Sequence, residues 1–189
     1  MMDYNAIAMR AAELVGGHEK FMELAEREHS EMQTRWNQNV EVIGRILRSH
    51  LYVEHYMTEY LVQANPRLGS LQDAKLSFAQ KLNLLDSKNP AIARILPGVK
   101  RLNKIRNQLA HNLNASVTTD DAGVFLSEPS FHALRVERFR DKALPADPLH
   151  ILEEFCYFAS IAFTHEFNAT SRAISQAIDE HLARRNQHG

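Results

Sequence analysis

The chain contains few of the residues that cross-link a fold or interrupt a helix. Its 189 residues include one cysteine, 7 glycines and 6 prolines. A single cysteine excludes an intramolecular disulfide, and the aromatic neighbours of Cys156 favour a buried structural thiol in a reduced, cytoplasmic protein. Because 44% of the residues are apolar, the chain can form one sizeable core. We therefore predict a single domain over residues 1–189.

Long apolar runs and net charge are also missing. No apolar stretch approaches the roughly 20 residues that span a bilayer, and residues 1–10 lack a signal-like apolar segment. We therefore expect no membrane association and no export. The formal net charge of −1 gives no overall attraction to nucleic acids, so any such attraction must come from a local patch.

Several sequence signatures of enzymes are absent as well. There is no Gly-rich phosphate loop, no dinucleotide fingerprint and no nucleophile elbow, which argues against nucleotide hydrolysis and serine-hydrolase chemistry. His50 and His55 do not have the spacing of a zinc-protease signature. We expect neither a metal nor a cofactor.

The spacing of apolar residues predicts an all-α helical bundle. Ile43, Leu47 and Leu51 illustrate the three- and four-residue intervals that recur through most of the chain, whereas sustained alternation is almost absent. The pattern predicts helices over residues 19–36 and 39–64, and the second should end before Pro66 because a residue preceding proline disfavours α geometry.

The remaining helix boundaries are predicted from capping residues. Asp73 is expected to cap a short helix that reaches residue 85, and Pro97 to begin a helix that ends near His111. Residues 114–146 are predicted to form an irregular insertion, with a small β-hairpin around residues 120–123 as one option. Asp147 and Pro148 should begin a long C-terminal helix whose apolar stripe extends to Ile174 and Ile178.

The clearest charge asymmetry lies between Ser87 and Thr119. This stretch contains no acidic residue but holds six cations: Lys88, Arg94, Lys100, Arg101, Lys104 and Arg106. Clustered cations of this kind suit a phosphate-bearing partner, and a solvated helix face is the alternative. The predicted substrate-binding residues are Lys100, Arg101, Asn103 and Lys104.

Arg106, Asn107 and His111 close this basic segment. On a helix, Asn103, Asn107 and His111 recur every four residues and share one face, which Arg106 can reach. Histidine exchanges protons near neutral pH, and arginine stabilises charge developing on a phosphate. Such a set could cleave RNA without a metal, with the 2′-hydroxyl as nucleophile. A structural polar network between helices is the alternative.

The segment Arg106-Asn107-x-x-x-His111, with residues 77–82 upstream of it, resembles the HEPN (higher eukaryotes and prokaryotes nucleotide-binding) superfamily. The sequence around this motif is similar to that of the mannitol-operon-repressor branch of the superfamily. The resemblance covers residues 39–114 and the C-terminal helix. It implies a homodimeric helical bundle that acts as a metal-independent endoribonuclease in a toxin–antitoxin or phage-defence system. It also implies catalytic roles for Arg106, Asn107 and His111, a 2′,3′-cyclic phosphate product, and an antitoxin or regulatory partner.

The same resemblance implies an alternative function. Members of the repressor-like branch are described as regulators, so the chain could be a non-catalytic transcriptional regulator or interaction module, in which the motif would be buried and fully hydrogen-bonded. Some HEPN toxins carry a modifiable tyrosine two residues after the histidine, where this chain has Leu113. A direct DNA-binding repressor is least favoured because no helix-turn-helix with a basic recognition helix is recognisable.

Two polar residues and three tyrosines complete the list of candidates. His50 and Glu54 lie on the apolar stripe of the second predicted helix, so each requires a partner if it is buried. We hypothesise that Glu54 pairs with Arg106 or Lys104 and orients the motif, against the alternative that it reaches solvent. Packing or dimerisation is predicted for aromatic residues at helical spacing: Tyr52, Tyr56 and Tyr60.

Overall fold

The computed structural model describes residues 3–36, 39–67, 74–112, 116–140, 142–165 and 167–173, except for the side chains of Arg35 and His111. Within these ranges the regular secondary structure is helical and contains no strand. The all-α prediction is thus confirmed. The helices are α1 (Tyr4–Val15), α2 (His18–Trp36), α3 (Val40–Ala64), α4 (Phe78–Asn83), α5 (Pro90–His111), α6 (Thr119–Leu126), α7 (Pro129–Arg138) and α8 (Pro148–Thr164).

The chain divides into two compact units, residues 1–40 and 41–189, which are described separately. That residues 1–189 form one HEPN-like domain stays a prediction. Among the described residues, no helix combines the length and the apolar character needed to cross a membrane.

The first unit is the pair α1 and α2. The Asp3 carboxylate caps α1 by accepting hydrogen bonds from the backbone N–H groups of Asn5 and Ala6. Gly16 ends the helix with a φ of 101°, a left-handed conformation that glycine adopts without a steric penalty. Helix α2 matches the prediction for residues 19–36, whereas α1 was not predicted. Of the described side chains in this unit, only Ala12 is buried.

The second unit contains one continuous apolar core to which all six of its helices contribute. Helix α8 packs against α5 and α6, and its inner face carries Leu152, Phe155 and Phe163. Burying a large apolar side chain stabilises a fold by about 1.5–3 kcal/mol, so these rings and branched chains provide most of the driving force. The other helices are represented in the core by Ile46, Val53, Phe78, Val99, Leu102, Ile105, Phe125 and Phe131.

Helix α5 differs from its prediction at the first turns. Asn89 caps it by accepting from the N–H groups of Ala91 and Ile92, and Pro90 occupies the first helical position, where a missing N–H costs nothing. The predicted start at Pro97 is therefore wrong, because the helix continues through that residue. Pro97 is exposed while neighbouring side chains such as Ile95 are buried, so packing on both sides of the proline holds this segment in helical geometry.

The predicted irregular insertion contains two helices. The Thr118 hydroxyl accepts from the Asp121 N–H and the Asp121 carboxylate accepts from the Thr118 N–H, a capping box that starts α6 where a hairpin turn was expected. Glu128 and Pro129 start α7 in a similar way. The hairpin is therefore wrong, and within the described part of this region residues 142–147 are irregular.

The remaining boundaries follow local capping chemistry. Ser77 and Gln80 form the capping box of α4, so this helix begins later than predicted; Asp73 lies outside the described residues. Asp147 and Pro148 start α8 as predicted. Helix α8 ends at Thr164, and Ile174 and Ile178 also lie outside the described residues.

Candidate functional site

The last three turns of α5 present a basic polar face. Leu102, Ile105 and Leu109 point into the core, whereas Lys104, Arg106, Asn107 and Gln108 are exposed. This separation follows from the helical period of the apolar residues.

Arg106 is exposed, and among the described residues it makes one weak hydrogen bond, from its Nη1 to the Asn107 Oδ1 at 3.4 Å. In the described part of the chain it forms no ion pair. A guanidinium without a carboxylate partner retains its hydrogen-bond donors for an anion.

One side of this face opens into a cavity of about 630 Å³, here called the lysine cavity. Its lining consists of ammonium, amide and hydroxyl side chains and contains no carboxylate: Lys100, Asn103, Lys104, Asn107, Gln108, Asn112, Ser116 and Thr118. Three of the four residues predicted to bind substrate are thus gathered in one concave surface. A surface of this composition offers donors and positive charge, the features that phosphate oxygens require.

The fourth predicted substrate-binding residue, Arg101, is engaged elsewhere. Its Nε forms an ion pair with the Oδ1 of Asp121, a carboxylate whose side chain is 3% exposed. Burial alone would raise the pKa of Asp121, but hydrogen bonds from Thr118 and Arg101 outweigh it and hold that pKa below its usual range. Arg101 therefore anchors the start of α6 to α5 and does not line the lysine cavity.

A second cavity, of about 360 Å³, lies where α3, α4 and α5 meet, and we call it the histidine cavity. Its lining is His50, Glu54, Ser77, Phe78, Ala79, Asn103, Arg106 and Asn107. The two asparagines also line the lysine cavity. The polar stripe of α5 therefore forms a ridge between two concave surfaces.

His50 is held from three sides in the histidine cavity. Its ring stacks on Phe78 with centroids 4.1 Å apart, and its Nε2 lies 3.4 Å from the Asn103 Oδ1. Its Nδ1 lies 3.9 Å from the Glu54 Oε2. Burial lowers the pKa of His50, and this effect exceeds the opposing influence of Asn103 and Glu54.

Glu54 has a different partner from the one hypothesised. Its Oε1 accepts a hydrogen bond from the Lys81 Nζ at 2.7 Å, and this ion pair joins α3 to α4. The ammonium group of Lys81 therefore neutralises the carboxylate. The sequence hypothesis considered only partners on α5, and Lys81 lies on α4. The hypothesis of a pair with Arg106 or Lys104 is corrected, although Glu54 and Arg106 do line the same cavity.

The structure unites most of the predicted site and adds residues that sequence reasoning did not assign to it. Asn103, Arg106 and Asn107 lie on adjacent turns, and residue 111 ends the same helix; the His111 side chain is outside the described residues. Phe78 and Lys81, both at His50 or Glu54, are two of these additions. Their only signal in the sequence is the segment 77–82, part of the HEPN resemblance.

The chain matches no protein-family model, and the comparisons with curated proteins and with solved structures also yield no match. The described residues contain no group of three or more His, Cys, Asp or Glu side chains suited to a metal ion. A function must therefore be argued from the site itself.

Proposed function

We propose that this protein is a HEPN-like, metal-independent endoribonuclease of a toxin–antitoxin or phage-defence system, acting in the cytoplasm. The observation that carries the proposal is the state of Arg106, which is exposed, has no carboxylate partner in the described chain and lines the histidine cavity beside Asn107, a residue that also lines the lysine cavity. A motif with only a structural role would be buried and fully hydrogen-bonded.

The chemistry requires only the RNA and side chains of the motif. The ribose 2′-oxygen attacks the adjacent phosphorus, the bond from phosphorus to the 5′-oxygen breaks, and a 2′,3′-cyclic phosphate results. Arg106 stabilises the negative charge that builds on the phosphate oxygens, and Asn107 donates an orienting hydrogen bond. His111 takes the proton of the 2′-hydroxyl and delivers a proton to the departing 5′-oxygen. Lys100, Asn103 and Lys104 bind the neighbouring phosphates.

The proposal includes a homodimer and a protein regulator, both implied by the HEPN resemblance. A dimer would bring two copies of the motif together and would give RNA a longer basic surface. Tyr52 and Tyr157, at least one-third exposed on α3 and α8, are candidates for contact with a second copy. An antitoxin would silence the site by covering the basic face of α5.

A non-catalytic regulator or interaction module is the second candidate. It is favoured by two polar residues of α5 that have partners on other helices, Arg101 with Asp121 and Asn103 with His50. In that case the basic face would bind RNA or an acidic protein without cleaving it. The two candidates therefore share the binding surface and differ in whether the bound RNA is cleaved.

The deciding experiment follows purified protein and a defined single-stranded RNA in the presence of EDTA. We expect the wild type to produce fragments ending in 2′,3′-cyclic phosphate, and Arg106→Ala and His111→Ala to cleave at least about 100-fold more slowly. End chemistry is read by mass spectrometry, and circular dichroism verifies that each variant is folded.

Matched controls separate a site effect from a charge effect. Arg140→Ala removes an arginine that is 69% exposed and that pairs, within the described chain, with Glu137 alone. Lys88→Ala removes a lysine of the basic segment that lines neither the lysine cavity nor the histidine cavity. Both should cleave at the wild-type rate. If wild-type protein binds RNA but leaves it intact, the second candidate replaces the first. Absence of both RNA binding and RNA cleavage would reject the nuclease and the RNA-binding form of the second candidate, and would leave a protein-interaction module.

A further inference from the structure

His50 is the most deeply placed polar residue of the histidine cavity, and the proposed reaction does not use it. Its side chain is 7% exposed, and it packs among groups from three helices. The charged groups that face it are Glu54 from α3, Lys81 from α4 and Arg106 from α5. The question is what a buried imidazole does beside the residues proposed to bind phosphate.

The contact between His50 and Asn103 has a defined direction. The atom of Asn103 that faces the ring is Oδ1, which can only accept, so the His50 Nε2 must carry the hydrogen. The neutral ring has no second N–H, and its Nδ1 faces Glu54 at 3.9 Å, beyond hydrogen-bond range. The lowered pKa of His50 agrees with this neutral form.

Fixing the oxygen of a carboxamide also fixes its nitrogen. With Oδ1 held by His50, the two N–H groups of Asn103 are directed away from the ring, and the same side chain lines the lysine cavity beside Lys100 and Lys104. A free asparagine could present either its oxygen or its nitrogen, and the oxygen would repel a phosphate.

We propose that His50 is a positioning residue for anion binding: it holds the Asn103 carboxamide by its oxygen, so that the amide N–H groups donate to a non-bridging phosphate oxygen. The inference rests on the proposed function, because it takes phosphate as the group that the ridge binds. Glu54 and Lys81 support His50 from behind, and their ion pair keeps α3 and α4 in register at the ring.

The first test observes the hydrogen bond and the anion directly. Nitrogen-15 NMR of the histidine rings should show His50 neutral at pH 7 with its proton on Nε2. Titration with inorganic phosphate should shift the Asn103 side-chain amide signals in the wild type. It should do the same in His50→Gln, where the glutamine amide replaces the Nε2 donor.

The second test removes the donor but keeps the ring. His50→Phe retains stacking on Phe78 and should bind phosphate and a short RNA roughly 3- to 10-fold more weakly, as expected for one lost orienting hydrogen bond. Asn103→Ala should weaken binding by a similar factor, and the double variant should be no weaker than Asn103→Ala alone. His55→Phe, at an exposed position of the same helix, is the control.

Each outcome decides the inference. Asn103 signals that ignore phosphate in the wild type, a proton on Nδ1, or additive losses in the double variant would overturn it. Thermal unfolding of each variant excludes a loss of fold as the cause. If phosphate shifts the signals as described but the wild type does not cleave RNA, the nuclease proposal fails and the positioning role of His50 stands.

Discussion

The cations of the basic segment have different surroundings, and this difference determines what each can do. Arg101 is neutralised by a buried carboxylate, whereas Lys100 and Lys104 line a cavity without one. Arg106 is exposed beside Asn107. An ion pair with a buried partner occupies donors that a phosphate would need, so Lys100, Lys104 and Arg106 keep their donors for an anion whereas Arg101 does not. The sequence alone does not show which of these cations are neutralised by a carboxylate from another helix.

Buried His50 makes folding stability depend on pH. In the unfolded chain the residue takes up a proton below its ordinary pKa of about 6.5. In the folded chain its pKa is lowered by burial, so the unfolded state binds more protons between these two values. The contribution of neutral His50 to the unfolding free energy is therefore fully present above about pH 6.5. It falls as the pH drops toward the folded pKa, by at most about 1.4 kcal/mol per pH unit.

Urea unfolding of wild type and His50→Gln from pH 8 to pH 4.5 tests this dependence. The difference between their unfolding free energies should be constant above pH 7 and should shift against the wild type below pH 6.5. Asp121 and Glu153, whose pKa values are lowered, lose their stabilising effect in acid in both proteins and cancel. A difference that stays constant over the whole range would contradict a buried neutral imidazole.

At the scale of the helices, the apolar period and the capping or stop residues predicted the helix bounds correctly where they agreed with one another. Helix α3 combines a long apolar period with a stop at Asn65 and Pro66, and its bounds were predicted within a residue. Helices α5 and α6 were not, because proline and glycine inside them suggested breaks. Packing around Pro97 and the capping box at Thr118 decide these cases.

The candidate site shows the same division between local and tertiary information. The stripe of Asn103, Asn107 and the basic residues of α5 could be predicted because it depends on one helix. The partner of Glu54 and the anchoring of Arg101 could not, because Lys81 and Asp121 reach them from other helices. Such pairs depend on which helices pack together, and the periodicity and capping residues of one sequence do not show this.

The contact of α5 with α8 depends on Gly98. A Cβ at this position would overlap the ring of Phe155, which is itself confined by Phe125 and Phe131. Alanine would improve helix propensity by about 1 kcal/mol, but overpacking a core typically costs about 1–3 kcal/mol, and a confined ring cannot yield. We expect Gly98→Ala to lower the unfolding free energy by about 1 kcal/mol or more.

Gly44 of α3 provides the matched control for that substitution. A Cβ there would meet nothing within 4 Å, so Gly44→Ala should gain helix propensity and raise stability by up to about 1 kcal/mol. Both values are measured by urea unfolding at pH 7.5. Equal effects of the two substitutions would show that close packing at Gly98 does not limit the approach of α8.

For the whole molecule, the distribution of buried residues matters most. Among the described residues of the second unit, the fully buried side chains of the core run from Ile46 to Phe163. Ion-pair networks between helices reinforce this core. Arg45 and Arg48 join α3 to Glu153 of α8. Buried Arg135 joins α7 to Glu154 and donates to the Pro145 carbonyl, which fixes the segment before α8.

Removal of residues 1–38 tests whether the core is self-sufficient. The α1–α2 pair buries only Ala12 among its described side chains, and short helices without a buried face are marginal in water. We expect the protein of residues 39–189 to unfold in one cooperative transition, with a Tm within about 4 °C of the full chain, equivalent to no more than about 1 kcal/mol. Calorimetry measures both proteins at equal concentration. Non-cooperative melting, or binding of a hydrophobic dye by the shortened protein, would mean that the first unit completes the fold.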